Sequence, residues 1–204
     1  EAFVKENVDW SKVEMFHLDE YVDLPETHPA SFRKYLQERF VDKVAPLKAV
    51  HFVDGTEAGI VDLTDELRKN PIDIGLIGIG ENGHIAFNEP GSSLTSRTRV
   101  KTLTTDTIIA NSRFFDNDIN KVPKTALSVG VGTVCDSKQV MLLISGHNKA
   151  RALRHCVEGG VDHAWTISAL QLHKDGIIAC DEAACGELKV DTYKYFKEIY
   201  KNEK

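Results

Sequence analysis

Short apolar runs alternate along this chain with segments whose apolar residues recur at helical spacing. That alternation limits the fold more than any other feature. Strands joined through helices return parallel, and a parallel strand is covered on both faces, so the pattern reads as βαβ units around a mostly parallel sheet of an α/β protein. Strands are expected over 13–18, 49–53, 74–79, 126–131, 139–144 and 177–180. One helix is expected to start at Thr27-His28-Pro29, with Thr27 as cap, and to place Phe32, Tyr35, Leu36, Phe40 and Val44 on one face. Another spans 56–69, with Ile60, Leu63 and Leu67 aligned; further helices are expected over 105–115, 147–157, 165–172 and 188–200. No repeat and no Pro/Gly/Ser-rich linker divides the 204 residues, so residues 1–204 are expected to form a single domain.

Charge and cysteine usage exclude several functions. Lys+Arg 25 against Asp+Glu 31 gives a net charge of −6, which predicts no nucleic-acid partner. No apolar run approaches the ~18 residues of a membrane span, so no membrane partner is expected. The acids Glu1, Glu6 and Asp9 do not suit a secretory signal. Cys135, Cys156, Cys180 and Cys185 are widely spaced and lack a C-x-x-C pair. Neither a zinc site nor a disulfide framework is expected, and reduced thiols fit the cytoplasm.

Ligands of parallel α/β sheets bind beyond the carboxyl ends of strands, which singles out the loops after Leu18, Ile79 and Ile144. The first carries Asp19-Glu20-Tyr21. Adjacent carboxylates cannot face the same way, so one is free to act as a base while the other caps or pairs outside; a solvated turn is the plain alternative. In the second, Gly78-x-Gly80-x-x-Gly83 matches a dinucleotide fingerprint only formally. Asn88-Glu89-Pro90-Gly91 interrupts the helix that the fingerprint needs, and about 20 positions beyond Gly83 stands Leu103 rather than a ribose-binding acid. The glycines fit close approach of backbone N–H groups to an oxygen-rich ligand. His84 follows, with Asn82 and Glu89 nearby, placed either for proton transfer or as a loop cap.

Cations mark a second requirement, anion binding. Arg97, Arg99 and Lys101 alternate, so on a strand they share a face, as a phosphate patch or a solvated edge. Arg113 precedes two Phe residues, where a cation is expected to be partly buried and paired with an anion. Lys149 lies at a helix start, against the helix dipole unless an anion binds there.

Together these residues resemble a known family. Leu18-Asp19-Glu20-Tyr21, the run from Gly78 through Gly83-His84-Ile85-Ala86-Phe87-Asn88-Glu89-Pro90, and Ala110-Asn111-Ser112-Arg113-Phe114-Phe115 are similar to glucosamine-6-phosphate deaminases, of the glucosamine/galactosamine-6-phosphate isomerase family. So are Ser128-Val129-Gly130-Val131-Gly132-Thr133 and His163-Ala164-Trp165-Thr166-Ile167-Ser168-Ala169-Leu170-Gln171. The resemblance implies a Rossmann-like three-layer sandwich. It also implies conversion of glucosamine 6-phosphate to fructose 6-phosphate and ammonia, without redox cofactor or metal. Asp19 would be the carbon base and His84 the ring-opening group, oriented by Asn82 and Glu89. Arg113 and Lys149 would hold the phosphate, and Gly78 and Gly80 would line the sugar. The alternatives are a related phosphosugar isomerase, a 6-phosphogluconolactonase-type hydrolase, and a non-catalytic phosphosugar-binding regulator.

The resemblance also carries departures. Asn82 stands where some members have Asp, which predicts a shifted pH optimum. Asp23 stands where Gly is common, and its charge is expected to raise the pKa of Asp19. In hexameric allosteric members a second phosphosugar site lies between subunits, and Ser92, Arg99, Lys101, Thr102 and Tyr195 match it. The implied partners are a phosphosugar and further copies of the chain in a homo-oligomer. The family begins with a strand and a phosphate loop that this sequence lacks, so the chain is expected to be N-terminally incomplete.

Overall fold

A computed structural model describes residues 2–6, 8–53 and 57–202. The chain divides into two compact units, one formed by 1–69 with 98–129 and the other by 70–97 with 130–204. The architecture is α/β with parallel sheets, as the alternating pattern predicts.

The first unit opens with α1 (Ala2–Lys5) and a 3-10 turn at Trp10–Lys12. Strand β1 (Glu14–Phe16) pairs in parallel with β3 (Ala49–His51). Between them run β2 (Asp19–Tyr21) and α2 (Phe32–Arg39). Helix α3 (Glu57–Lys69) follows; the expected start at Thr56 and the side chain of Leu63 lie outside the described residues. The unit returns with β5 (Arg99–Thr102), α4 (Thr105–Asn111), a 3-10 turn at Ser112–Phe114 and β6 (Thr125–Ser128). Here the structure departs from a parallel arrangement: β2, β6 and β5 form an antiparallel sheet in that order. Tyr21, Leu103, Phe115, Ala126 and Leu127 are buried in this unit.

Three expectations are corrected in it. Asp19-Glu20-Tyr21 is a strand, not a loop, because it pairs with Ala126–Ser128. The helix begins at Phe32 rather than near Thr27, because Ser31 caps it and accepts the Lys34 N–H at 3.2 Å. It also stops at Arg39, so Val44 lies beyond it, and Tyr35 is exposed. The helix expected over 105–115 is α-helical only to Asn111.

The second unit is built on β4 (Ile74–Ile77), β7 (Gln139–Ile144) and β8 (Gly176–Cys180), all parallel, with β7 central. Its helices are α5 (Val131–Cys135), α6 (Ala150–Glu158) and α7 (Val190–Asn202). Ala150, Ala152, Leu153 and Cys156 form the buried stripe of α6. Val140, Leu142, Ile144 and Ile167 complete the core. Strand β4 is not buried throughout: Ile77 is covered, whereas Ile74 and Leu76 are exposed on the opposite face. The strand expected over 126–131 ends at Ser128, and Val131 opens a helix. A Cβ on Gly130 would lie 2.0 Å from the Ser96 carbonyl oxygen, so only glycine allows that close passage. The helix expected over 147–157 starts as a 3-10 turn at His147–Lys149, and 166–172 is 3-10 throughout. Among the described residues no helix is long and apolar enough to cross a membrane.

Candidate active site

The proposed site residues fall into two clusters, one in each unit. On β2, side chains alternate, so Asp19 and Tyr21 share one face and Glu20 takes the other. Glu20 is buried and serves as a cap for α2. Its Oε1 accepts the N–H groups of Tyr21 at 2.9 Å and Phe32 at 3.3 Å. Its Oε2 accepts the Ser31 hydroxyl at 2.8 Å and the Arg33 N–H at 2.9 Å. The division between a capping and a free carboxylate is therefore realised, with Glu20 capping.

Asp19 is partly buried. Burial first, and then the charge of Glu20, pushes its pKa up to about 7. The neighbouring charge responsible is Glu20, not Asp23 as expected. Asp23 instead explains itself through its backbone: its φ of 60° is the left-handed conformation that favours glycine. Beside Asp19, the Tyr21 hydroxyl accepts the Asn111 amide at 2.9 Å, and the ring stacks on Phe32. Tyr21 thus ties β2 to the end of α4, just before the 3-10 turn that carries Arg113. Arg113 is exposed rather than partly buried, with its guanidinium 4.8 Å from the Phe114 ring centre.

On β5, Arg99 and Lys101 share a half-buried face, and Thr102 is exposed. Arg97 precedes the strand in the chain and forms an ion pair with Asp136. Ser128 of β6 is the register partner of Asp19 on one side and of Arg99 on the other. Arg99 therefore stands in the same cross-strand row as Asp19.

The second cluster is the loop after β4. The His84 Nδ1–H donates to Asn82 Oδ1 at 2.6 Å, and Glu89 Oε2 lies 3.4 Å from the same nitrogen. Asn82 donates its amide to Glu89 Oε2 at 3.2 Å and accepts the His84 backbone N–H at 3.3 Å. This network assigns the proton to Nδ1 and leaves Nε2 as an acceptor. Gly80 makes the arrangement possible, because a Cβ there would lie 2.4 Å from His84 Cε1. Gly83 has φ +79°, and a Cβ on it would meet Trp165 at 2.3 Å. Gly78 is exposed, and a Cβ there would touch nothing. Ala86, between His84 and Glu89, is held at φ 49°, a conformation that costs roughly 1–2 kcal/mol in a non-glycine residue.

Lys149 closes the 3-10 turn that leads into α6. Sequence reasoning missed what holds that turn. Asp181 accepts the Ser145 hydroxyl at 2.7 Å and the Gly146 N–H at 3.0 Å. Asn148 donates to Glu81 at 2.7 Å, linking the turn to the His84 loop. Asp181 belongs to no quoted motif, and Glu81 sits at a variable position of the Gly78–Gly83 run; Gly146, at φ 93°, is the local mark of the turn. Ser92 is buried, its N–H bonded to the Glu89 carbonyl at 3.0 Å, while Tyr195 is exposed on α7. Among the described residues no group of three or more His, Cys, Asp or Glu side chains is placed to hold a metal ion.

The sequence profile of the glucosamine-6-phosphate isomerases/6-phosphogluconolactonase family matches residues 1–178. The chain belongs to this family. It is 58% identical over 200 residues to a glucosamine-6-phosphate deaminase of Phocaeicola vulgatus, a match covering 95% of this chain and 76% of that protein. The corresponding protein of Parabacteroides distasonis is 55% identical over 201 residues, covering 96% of this chain and 74% of its own length. A solved monomeric glucosamine-6-phosphate deaminase superposes with a TM-score of 0.84 at 38% identity, covering 88% of this chain and 77% of that one. A 6-phosphogluconolactonase from Trypanosoma brucei shares the fold, with a TM-score of 0.66 at 16% identity, covering 85% of this chain and 73% of that one. Within the family the deaminases thus stand much nearer to this chain than that lactonase does.

Proposed function

We propose that this family member converts glucosamine 6-phosphate and water to fructose 6-phosphate and ammonia. The observation that carries the reading is the His84–Asn82–Glu89 network, which leaves His84 Nε2 ready to exchange a proton. The reaction needs two separate proton movements. In ring opening, Nε2 takes the proton of the sugar's C1 hydroxyl and returns it to the ring oxygen. In isomerisation, Asp19 takes the proton from C2 and delivers it to C1, while a proton passes from the amine to the C1 oxygen. The C2–N bond becomes an imine, and water then releases ammonia and leaves the C2 ketone. A carboxyl with a pKa of about 7 suits the second role, since it is a stronger base than an ordinary aspartate.

Arg113 and Lys149 are the proposed phosphate ligands. An anion bound at the start of α6 would remove the conflict between Lys149 and the helix dipole. Gly78 and Gly80 would let the sugar approach the backbone. Ser92, Arg99, Lys101, Thr102 and Tyr195 form the proposed effector set. The proposed assembly is a homo-oligomer, supported by exposed Val190, Tyr195, Phe196 and Tyr200 on α7. A small-molecule phosphosugar and thiols kept reduced fit the cytoplasm.

Ammonia release from glucosamine 6-phosphate tests the reaction. Release with matching fructose 6-phosphate is expected. Hydrolysis of 6-phosphogluconolactone with no ammonia from the amino sugar would favour the lactonase alternative instead.

A further inference from the structure

Two thiols that the sequence spacing gave no reason to pair stand side by side. Cys180 Sγ and Cys185 Sγ are 3.6 Å apart. Cys180 ends β8 and is exposed; Cys185 lies in the 3-10 turn Ala184–Glu187 and is partly exposed. Both sulfurs belong to one short turn, and a disulfide would need them to close by only about 1.5 Å.

The turn between them is also what holds the Lys149 loop. Asp181 accepts from Ser145, Gly146 and the Ala184 N–H, the last at 2.8 Å. Gly186 packs so closely against His147 that a Cβ would lie 2.8 Å from its Nδ1. Asn148 then reaches Glu81, which neighbours Asn82. A shift of the Cys180–Cys185 turn therefore presses on Ser145, Gly146 and His147 of the 145–149 loop.

We propose that Cys180 and Cys185 are a reversible oxidation site, closed to a disulfide by a peroxide, and that closure loosens the 145–149 loop and weakens its grip on the substrate's phosphate. The step balances: the two thiols lose two hydrogens, one S–S bond forms, the peroxide O–O bond breaks, and two waters leave. A dithiol reductant reverses it. Burial first, then Cys185 and the nearby Asp181 and Glu182, push the Cys180 thiol up to about 11, so little thiolate is present at neutral pH and closure by peroxide is slow. The effect on substrate rests on the phosphosugar reading of Lys149; the bond itself does not.

The test treats the full chain with hydrogen peroxide, blocks remaining thiols, and maps unreduced peptides. The 145–149 loop is followed by amide hydrogen exchange and the substrate response by KM. A linked Cys180–Cys185 peptide, faster exchange at 145–149 and a several-fold higher KM are expected, all reversed by dithiothreitol and absent in Cys185→Ser. Peroxide consumption without the linked peptide, or linkage with unchanged exchange, overturns the inference. Linkage and faster exchange in a chain that releases no ammonia in either redox state would uphold the dithiol site and sink the phosphosugar reading.

Discussion

The imidazole of His84 fills the space that a side chain on residue 80 would need: a Cβ on Gly80 would lie 2.4 Å from Cε1 and 2.5 Å from Nδ1. Gly80→Ala must therefore push the ring away from Asn82 and Glu89 while the rest of the unit stays packed. Loss of a positioned acid–base group costs about 10²–10⁴-fold in rate, so kcat is expected to fall by at least about the lower figure, with the thermal transition little changed. Gly78→Ala separates crowding by the protein from crowding by the sugar, because its Cβ would meet no protein atom. It is expected to raise KM and leave stability alone. Equal kcat for Gly80→Ala and the parent chain would show that the ring position is unimportant.

Asp19 should govern both activity and stability near neutrality. Its ionised form is the base, so kcat/KM should rise with pH through about 7 and level off above it. Asp19→Asn should abolish nearly all turnover while phosphosugar binding persists. Stability runs the other way. Because folding raises this carboxyl from 3.8 to about 7, the folded state holds more protons between those values, and stability falls as pH rises across that window. The asparagine variant lacks this loss, so its advantage in melting temperature should grow from pH 4 to 7 and then stay constant. An advantage that shrinks over the window would contradict the burial that raises Asp19.

Asn82→Asp offers a direct reading of the histidine network. The variant replaces the amide that donates to Glu89 Oε2 with a second carboxylate facing the first. That change takes away the donor to Glu89 and puts a second negative charge beside the His84 ring, so turnover at neutral pH should fall and the pH–rate profile should be displaced. A profile superimposable on the parent's would detach Asn82 from the chemistry.

The residues of the His84 loop were legible because their roles are local: glycines, an imidazole and two polar partners within a few positions. The βαβ rhythm likewise identified the parallel strands around β7. The antiparallel sheet was not legible, because β2 and β6 are brought together from distant parts of the chain and β2 is only three residues long. The start of α2 was misplaced because its cap is completed by Glu20, eleven residues before Ser31. Long-range partners of this kind leave no periodicity: Asp181 under Gly146, Asn148 on Glu81, Cys185 beside Cys180. Arg113 shows the opposite error, where local pattern suggested burial and the side chain is exposed over Phe114.

Glu20 joins helix capping to the strength of the neighbouring base, and one substitution separates the two. Both of its carboxylate oxygens accept from the start of α2, and it is buried beside Asp19. In Glu20→Gln one oxygen becomes an amide that donates, so it faces either the Phe32 and Tyr21 N–H groups or the Arg33 N–H and the Ser31 hydroxyl with the wrong polarity. Leaving buried donors unsatisfied costs about 1–3 kcal/mol, which denaturant unfolding should detect as a lower midpoint at an unchanged slope. The same change removes the second cause of the raised Asp19 pKa while leaving burial, the first, in place. The rising limb of the pH–rate profile should therefore move below 7 but remain above the ordinary aspartate value of 3.8. A limb that stays at 7 in a destabilised variant would assign the whole shift to burial.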